Sequence, residues 1–204
     1  MNSSGLYRDI TDFAHTTPSW VRSAFEVWTE YGLLLFGALF IAVWWRARFR
    51  RGNRAVALAV LAPPATAVAY VASESLKSVV DEERPCRAVA GAAASLIACP
   101  APGDWSFPSN HSAIAGAAAV ALALAVRRLA LLTVPLALLM AFSRVFVGVH
   151  YPHDVALGLL LGGAVAALVV LAFTGPISTI TAAMRASGIR AAVWFTGPGP
   201  ARQV

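Results

Sequence analysis

Three short clusters of polar residues carry the side chains that could do chemistry, and each cluster adjoins a long apolar stretch. In chain order the clusters are Lys77 with Arg84 and Pro85, then Pro108 with Ser109, Asn110 and His111, then Ser143 with Arg144, His150 and Asp154. Three cations, two histidines and a carboxylate form a set suited to binding and transferring a phosphate. Because apolar runs flank the clusters, we expect a lipid to carry that phosphate.

The last cluster has the most specific spacing. His150 and Asp154 bracket Pro152, a residue type that fits the first turn of a helix. A carboxylate is favoured in that turn, and Asp154 would accept Nδ1–H from His150, which leaves Nε2 as an oriented nucleophile. The alternative is a purely structural pair, but ionisable groups beside membrane spans favour a functional one. His153 adjoins Asp154, and neighbours on a helix diverge in direction, so we expect it to be the poorer partner.

The middle cluster has the pattern of a helix N-terminus. Ser109 stands at the N-cap position before the apolar run 113–126. The amides of Asn110 and His111 would then lie at the helix end, where unpaired N–H groups and the helix dipole favour a phosphate. The alternative makes Ser109 a cap only and His111 a solvated interfacial residue.

The composition is that of a membrane protein, with 58% hydrophobic and 13% charged residues and a mean hydropathy of +0.68. A membrane helix needs about 20 mostly apolar residues, and five stretches qualify, at about 29–45, 55–76, 110–126, 129–148 and 154–174. We therefore predict an all-α fold, an integral membrane helical bundle of five transmembrane helices with an N-terminal amphipathic or interfacial helix. Gly158 and Gly162 form a G-x-x-x-G step, which predicts packing within the bundle first and a homodimer face second.

The arginines predict how the bundle crosses the membrane, because Lys and Arg are retained on the cytoplasmic side of short loops. They fall between the first two spans, between the third and fourth, and after the fifth: Arg46, Arg48, Arg50, Arg51 and Arg54, then Arg127 and Arg128, then Arg185, Arg190 and Arg202. These segments and the C-terminus would be cytoplasmic, and the three clusters would face outward. The pI near 10.1 then reflects topology and anionic lipids, and no nucleic acid partner is expected.

The same pattern divides the chain into three parts. Residues 1–28 form an interfacial segment, which lacks the features of a cleaved signal and should be retained. Residues 29–174 form a transmembrane catalytic domain, and residues 175–204 form a cytoplasmic tail.

The outer loop, about 78 to 108, contains the only cysteines, Cys86 and Cys99. On the oxidising side of a membrane they would form a disulfide, and the alternative is two free thiols. The loop also contains the acidic run Asp81, Glu82 and Glu83. Consecutive acids project in different directions, so we interpret the run as a solvated loop and expect no metal or other cofactor.

Together the three clusters resemble the signature of the type 2 phosphatidic acid phosphatase superfamily, whose pattern is K-x6-R-P, then P-S-G-H, then S-R-x5-H-x3-D. The resemblance covers roughly residues 55–174. It implies a six-helix core, so the N-terminal segment would supply the sixth helix or that helix would be absent. One position departs: Asn110 replaces the usual glycine, and asparagine is the residue type that otherwise best tolerates left-handed backbone angles.

The resemblance also implies roles for the residues. His150 would be the nucleophile of a metal-free hydrolysis through phosphohistidine, Asp154 its orienting carboxylate and His111 the acid for the leaving oxygen. The residues expected to hold the phosphate are Lys77, Arg84, Ser109, Asn110 and Arg144.

The function expected from this resemblance is that of a bacterial plasma-membrane lipid phosphatase, acting at the outer face. Undecaprenyl or another polyprenyl diphosphate, hydrolysed to the monophosphate for cell-wall and peptidoglycan synthesis, is the first expectation. Phosphatidylglycerophosphate, phosphatidate and a decaprenyl-phosphosugar are alternative substrates. Two other classes share some features: a non-catalytic lipid-phosphate binder or transporter, and the soluble haloperoxidases that hold vanadate in a similar pocket.

Overall fold

The computed structural model describes residues 3–50 and 52–198, and this part of the chain is helical with no strand. The helices are α1 Ser4–Thr16, α2 Ser19–Arg48, α3 Asn53–Lys77, α4 Pro85–Ala88, α5 Asn110–Ala125, α6 Ala130–Phe146, α7 Pro152–Ala186 and α8 Arg190–Thr196, with a 3-10 turn at Arg127–Leu129 before α6. The predicted all-α bundle is confirmed. Arg51 and Arg202, two of the arginines used for orientation, lie outside the described residues.

Four of the described helices are long and apolar enough to cross a membrane: α2, α3, α7, and α6 together with the turn that precedes it. The fifth candidate, α5, has 16 residues, a length of roughly 24 Å, which is short of a hydrocarbon core of about 30 Å. It is nevertheless the centre of the bundle, because α2, α3, α6 and α7 all pack against it. The count of five spans stays a prediction.

Close contact between α5 and α7 fixes the geometry at one end of the bundle. A Cβ atom added to Gly162 would lie 1.9 Å from the carbonyl oxygen of Ala113, and one added to Gly158 would lie 2.6 Å from that of Ser109. The predicted packing of the G-x-x-x-G step within the bundle is therefore confirmed. The Ser109 N–H also donates to the carbonyl oxygen of Asp154 at 3.2 Å, so the first turns of α5 and α7 lie side by side.

Two helices extend well beyond the apolar stretches that predicted them. Helix α2 begins at Ser19 and passes through residue 28 without a break, and α7 continues through residue 174 to Ala186. A search for apolar residues does not detect helical turns that continue into the polar interface. The three-part division of the chain stays a prediction, with both of its boundaries inside continuous helices.

The amphipathic N-terminal helix α1 covers the end of the bundle where the polar clusters lie. It buries Tyr7, Thr11 and Ala14 on one face. The Tyr7 hydroxyl donates to the carbonyl oxygen of Gly148 at 2.9 Å, immediately before the loop that holds His150. Gly148 has a φ of +86°, and a Cβ there would lie 2.9 Å from the Cα of Ser95. Helix α1 thus packs against the loop between α6 and α7.

The opposite end of the bundle contains the predicted cytoplasmic arginines that the structure describes. The buried Arg48 guanidinium lies 4.5 Å from the ring centre of Trp45 and 4.7 Å from that of Trp194, in cation–π contact. Arg185 donates to the Asn53 side chain at 2.8 Å and so joins α7 to the start of α3. The arginines and the polar clusters therefore lie at opposite ends. Which end faces the cytoplasm stays a prediction.

Candidate active site

One cavity, of about 510 Å³, brings together residues from all three clusters. Its lining consists of Tyr70, Glu74, Lys77, Arg84, Pro100, Asp104, Asn110, His111, Ile114, Arg144 and His150. The reason is the alternating direction of the helices. Since α3 and α6 end where α5 and α7 begin, residues distant in sequence meet at one end of the bundle.

A buried carboxylate orients the candidate nucleophile. Asp154 Oδ2 lies 3.3 Å from His150 Nδ1 and accepts the backbone N–H of Tyr151 at 2.8 Å. The Ser106 hydroxyl donates to the same oxygen. Asp154 is fully buried and His150 is 2% exposed, so neither side chain has room to turn away.

The protonation of His150 follows from its second neighbour. Arg84 Nη1 lies 3.1 Å from His150 Nε2, and a guanidinium can only donate, so Nε2 is the accepting nitrogen and the ring proton lies on Nδ1. Burial lowers the pKa of His150 well below its ordinary value of 6.5, and the charges of Arg144, Arg84 and Lys77 add to that effect. The ring is therefore neutral at neutral pH, and its Nε2 lone pair accepts from Arg84 at the cavity wall.

Arg84 is held by contacts along its whole guanidinium and is 3% exposed. Nε donates to the Asp104 carbonyl oxygen at 2.8 Å, and Nη2 donates to Asp104 Oδ1 at 2.9 Å. Nη1 also donates to the Val149 carbonyl oxygen at 3.0 Å. These contacts fix the charge beside the His150 ring.

Arg144 approaches the cavity from α6 and keeps one donor unpaired. Its Nη1 donates to the Thr29 hydroxyl at 2.9 Å, while its buried Nε has no hydrogen-bond partner among the described residues. A buried charged donor without an acceptor is costly, and a bound anion would supply the acceptor. Lys77 completes the set of three cations, with Nζ 3.5 Å from Asp104 Oδ1 and 4.0 Å from Glu74 Oε2.

Two residues of the middle cluster line the cavity and two, Pro108 and Ser109, do not. His111 and Asn110 line it, and no side-chain hydrogen bond ties the His111 ring to the described parts of the chain. Ser109 is at the N-cap position but makes no side-chain capping bond. Its buried hydroxyl accepts from Ser112 at 3.2 Å and does not line the cavity.

The backbone expectation for Asn110 is wrong. The structure gives no positive φ to any described residue other than glycine, and Asn110 is the first residue of α5 in ordinary helical geometry. A Cβ fits because helical backbone angles suit any residue with a side chain, and the side chain is bonded in turn: Ser73 donates to Asn110 Oδ1 at 2.7 Å, and the Asn110 amide donates to Glu74. The amide thus bridges α3 and α5 at the cavity wall.

The outer loop is tied down at several points. Cys86 and Cys99 form a disulfide, and the Arg87 guanidinium donates to Glu83 and to the carbonyl oxygen of Pro100. These contacts lie directly after Arg84 and Pro85 in the chain, so they hold the start of the loop against the bundle.

The solvated interpretation of the acidic run is wrong for Glu82. Both of its carboxylate oxygens lie 3.0 Å from His153 Nε2, and His153 Nδ1 lies 2.7 Å from the Ser3 hydroxyl. His153 also lies 3.3 Å from Asp154 Oδ1, but the contact from His150 is the one with hydrogen-bond geometry. Donor atoms of Glu82, His153 and Asp154 lie within 4.8 Å of one another, outside the cavity lining. The absence of a metal stays an expectation.

The residues of the site that were not found from the sequence include Thr29, Glu74, Asp104 and Ser106, and Glu74 both contacts Lys77 and lines the cavity. Asp104 is the only acid between Glu83 and Asp154, and its place just before the middle cluster was a usable signal. Ser106 and Thr29 gave none, because single hydroxyl residues in a loop and in an apolar helix have no distinctive spacing.

Apolar helices surround a cavity that is lined by three cations and two histidines, which defines the class as a membrane protein with a phosphate-binding type of site. The chain belongs to the PAP2 superfamily, whose family model matches residues 57–177.

Curated relatives share this part of the chain. An undecaprenyl-diphosphatase of Sulfolobus acidocaldarius is 37% identical over 121 residues, which are 58% of this chain and 57% of that protein. The undecaprenyl-diphosphatase BcrC of Bacillus subtilis is 34% identical over 143 residues, 70% of this chain and 67% of that protein. A decaprenylphosphoryl-5-phosphoribose phosphatase of Mycobacterium tuberculosis is 36% identical over 104 residues, 50% of this chain and 54% of that protein. The matches thus span between about half and two thirds of these relatives.

Two solved structures have the same fold. Aquifex aeolicus LpxE superposes with a TM-score of 0.60 at 24% identity, covering 81% of this chain and 93% of that one. A transmembrane PAP2-type phosphatidylglycerolphosphate phosphatase from Bacillus subtilis gives a TM-score of 0.61 at 22% identity, covering 85% and 86%. At these identities the likeness concerns the fold alone.

Proposed function

We propose that this protein hydrolyses a polyprenyl diphosphate, with undecaprenyl diphosphate as the first candidate, to the monophosphate and inorganic phosphate. The observation that carries the proposal is the His150 ring: it is neutral, its Nε2 lone pair is at the cavity, and its Nδ1 faces a buried carboxylate. Lys77, Arg84 and Arg144 surround the same space. This arrangement suits a nucleophile that attacks phosphorus while cations hold the phosphate oxygens.

The reaction would run in two steps. The bound phosphate takes over the Arg84 Nη1 hydrogen bond from His150 Nε2, and its negative charge favours the protonated form of His111. His150 Nε2 then forms a bond to the terminal phosphorus in line with the leaving oxygen, the P–O bond breaks, and His111 gives its proton to the departing lipid phosphate. Asp154 stabilises the positive charge that develops on the imidazole. His111, now unprotonated, takes a proton from a water molecule that attacks the phosphohistidine, which releases inorganic phosphate and restores the neutral His150 ring.

The three cations would act mainly in the transition state. Charge grows on the phosphate oxygens as the bond to the leaving group breaks, and buried donors already in position need no reorganisation. Arg84 contacts the nucleophilic nitrogen itself, and Arg144 brings an unpaired Nε–H. An arginine can bind two oxygens at once, whereas Lys77 provides a compact point charge.

The nature of the lipid is supported by the relatives and by the place of the site. Undecaprenyl-diphosphatases match over 58% and 70% of this chain. The cavity lies at the ends of apolar helices, so a long tail could stay in the bilayer while the phosphates enter. Such a reaction would supply the carrier lipid of cell-wall and peptidoglycan synthesis. We place the site on the outer face of the plasma membrane and the C-terminus in the cytoplasm, on the basis of the arginine distribution.

A second candidate is a phosphosugar carried on a decaprenyl lipid. The observation that favours it is the 36% identity with the mycobacterial decaprenylphosphoryl-5-phosphoribose phosphatase. In that case the substrate would be a monoester, and the leaving group protonated by His111 would be a sugar oxygen.

Release of inorganic phosphate from a panel of purified lipids in detergent would test the proposal. The panel contains undecaprenyl diphosphate, a decaprenyl-phosphosugar, phosphatidylglycerophosphate, phosphatidate and lipid A. We expect the highest kcat/KM with undecaprenyl diphosphate and no turnover by His150→Ala. The matched control is His15→Ala, which removes an exposed imidazole that hydrogen-bonds to the Ala94 carbonyl oxygen and does not line the cavity. A higher kcat/KM with another lipid would contradict the proposed substrate, and normal turnover by His150→Ala would contradict the proposed role of His150 as the nucleophile.

A further inference from the structure

One carboxylate lies where a bound phosphate would need to be. Asp104 Oδ1 is 2.9 Å from Arg84 Nη2 and 3.5 Å from Lys77 Nζ, so a single oxygen contacts two of the three cations that line the cavity. The Asp104 side chain is 47% exposed, whereas those of Arg84 and Lys77 are 4% and 9% exposed. The carboxylate thus reaches the buried cations from the solvent side.

The contact is one that a phosphate can replace. Guanidinium groups bind carboxylate and phosphate oxygens through the same N–H donors. Burial alone would raise the pKa of Asp104, but the hydrogen bond and charge of Arg84, together with Lys77, hold it below its ordinary value. Asp104 is therefore a carboxylate at neutral pH, and it neutralises part of the charge available to a ligand.

The backbone of the segment that carries Asp104 is held on both sides of that residue and at the residue itself, where the Asp104 N–H donates to the Ala101 carbonyl oxygen at 3.1 Å and the Asp104 carbonyl oxygen accepts from Arg84 Nε at 2.8 Å. Arg87 donates to the carbonyl oxygens of Pro100 and Ala101 on one side, and the Ser106 N–H donates to the Glu82 carbonyl oxygen at 2.7 Å on the other. Between these anchors the chain makes an exposed turn at residues 102–103, before Asp104. Because the backbone is held, the carboxylate can leave the cations by rotation of the Asp104 side chain alone.

Space for the displaced carboxylate lies next to the site. A second cavity, of about 440 Å³, shares Glu74, Lys77 and Asp104 with the first and continues along the turn to Trp105. Because Asp104 borders both cavities, its side chain can leave the first one by rotating toward the second.

We propose that the Asp104 carboxylate competes with phosphate for Arg84 and Lys77 and thereby sets the affinity of the site for phosphate. The carboxylate binds Arg84 and Lys77 while the site is empty, gives way to an incoming phosphate, and returns to the cations as the product leaves. The inference rests on the proposed function only in taking the cavity to be a phosphate site. It makes Asp104 an affinity-setting residue and gives it no part in the bond-making steps.

Competition has a signature that a positioning role lacks. A competing group reduces the affinity of every phosphate ligand by the same factor, since each must first displace it. If Asp104 only positioned Arg84, its loss would weaken binding. The Arg84 Nε bond to the Asp104 backbone carbonyl does not depend on the side chain and remains in any variant.

The test is the affinity of inorganic phosphate for the purified full-length protein in detergent, measured by isothermal titration calorimetry, which needs no turnover. Asp104→Asn keeps an acceptor for Arg84 and removes the charge, and Asp104→Ala removes both. Asp81→Asn is the matched control, because it deletes one negative charge from the same loop at a residue outside both cavities.

We expect both Asp104 variants to bind phosphate about 1.5- to 5-fold more tightly, the range for a partly exposed ion pair, and Asp81→Asn to bind as the wild type does. The KM for a hydrolysed lipid should fall by the same factor. Unchanged or weaker phosphate binding in the Asp104 variants, or equal tightening in Asp81→Asn, would overturn the inference. If phosphate binds more tightly but no lipid is hydrolysed, the proposed function fails and the role of Asp104 stands.

Discussion

Replacing Arg84 with lysine should be damaging although it conserves the charge. The guanidinium donates from three nitrogens to the Asp104 carbonyl and carboxylate oxygens, the Val149 carbonyl oxygen and His150 Nε2. A lysine has a shorter side chain with a single nitrogen, and that nitrogen cannot reach all four acceptors from one position. Loss of one hydrogen bond made by a charged group costs about 1.5–3 kcal/mol, so we expect kcat/KM to fall roughly 10- to 150-fold.

The assay is the kcat/KM of phosphate release from the preferred lipid in detergent, compared across matched variants. Arg8→Lys is the control, because Arg8 is a surface residue of α1 whose guanidinium donates to the Ala90 carbonyl oxygen, a contact that lysine can replace. We expect this control to retain the wild-type rate. A kcat/KM of Arg84→Lys within threefold of the wild-type value would refute the reasoning. It would mean that the positive charge is sufficient without the several N–H donors of a guanidinium.

Three further predictions concern the nucleophile, its neighbours and the bundle. The His150 ring should stay neutral down to a pH well below 6.5, because its pKa is lowered and the neutral form dominates at every pH above the pKa. An NMR titration of the ring with a midpoint near pH 6.5 would contradict this. Thr29→Val removes the acceptor of the buried Arg144 Nη1 and should lower kcat/KM by roughly 5- to 150-fold through a cost of about 1–3 kcal/mol, so an unchanged value would show that Thr29 does not position Arg144. Gly162→Ala places a Cβ 1.9 Å from the Ala113 carbonyl oxygen and should lower the thermal unfolding temperature markedly, whereas Gly175→Ala in the same helix meets nothing within 4 Å and should be neutral or stabilising; equal effects of the two changes would be inconsistent with close contact between α5 and α7.

The sequence predicted those parts of the structure that depend on residue type and on the length of apolar runs. Lys77, Arg84, His111, Arg144 and His150 were identified as one site because cations and histidines rarely adjoin apolar spans without a function. Their convergence then followed from the alternating direction of the helices, and all five line one cavity. The helical bundle could also be predicted from the sequence, since long apolar runs in a membrane permit few other structures.

The remainder depended on tertiary contacts that have no local pattern. The backbone of Asn110 was interpreted from its residue type alone, whereas its fit comes from Ser73 and Glu74 on another helix. Asp104 was not considered, because an acid in an irregular loop acquires its meaning only from the cations it meets. The ends of α2 and α7 were missed because interfacial turns are too polar to register as membrane spans.

The most direct test of the central claim is to identify the residue that carries phosphate during turnover. Rapid acid-free quenching with a substrate labelled in its terminal phosphate, followed by peptide mass spectrometry, should find the label on His150 in the wild type and no label in His150→Ala. The His15→Ala control should be labelled as the wild type is. Label on another residue, or undiminished hydrolysis by His150→Ala, would contradict the account.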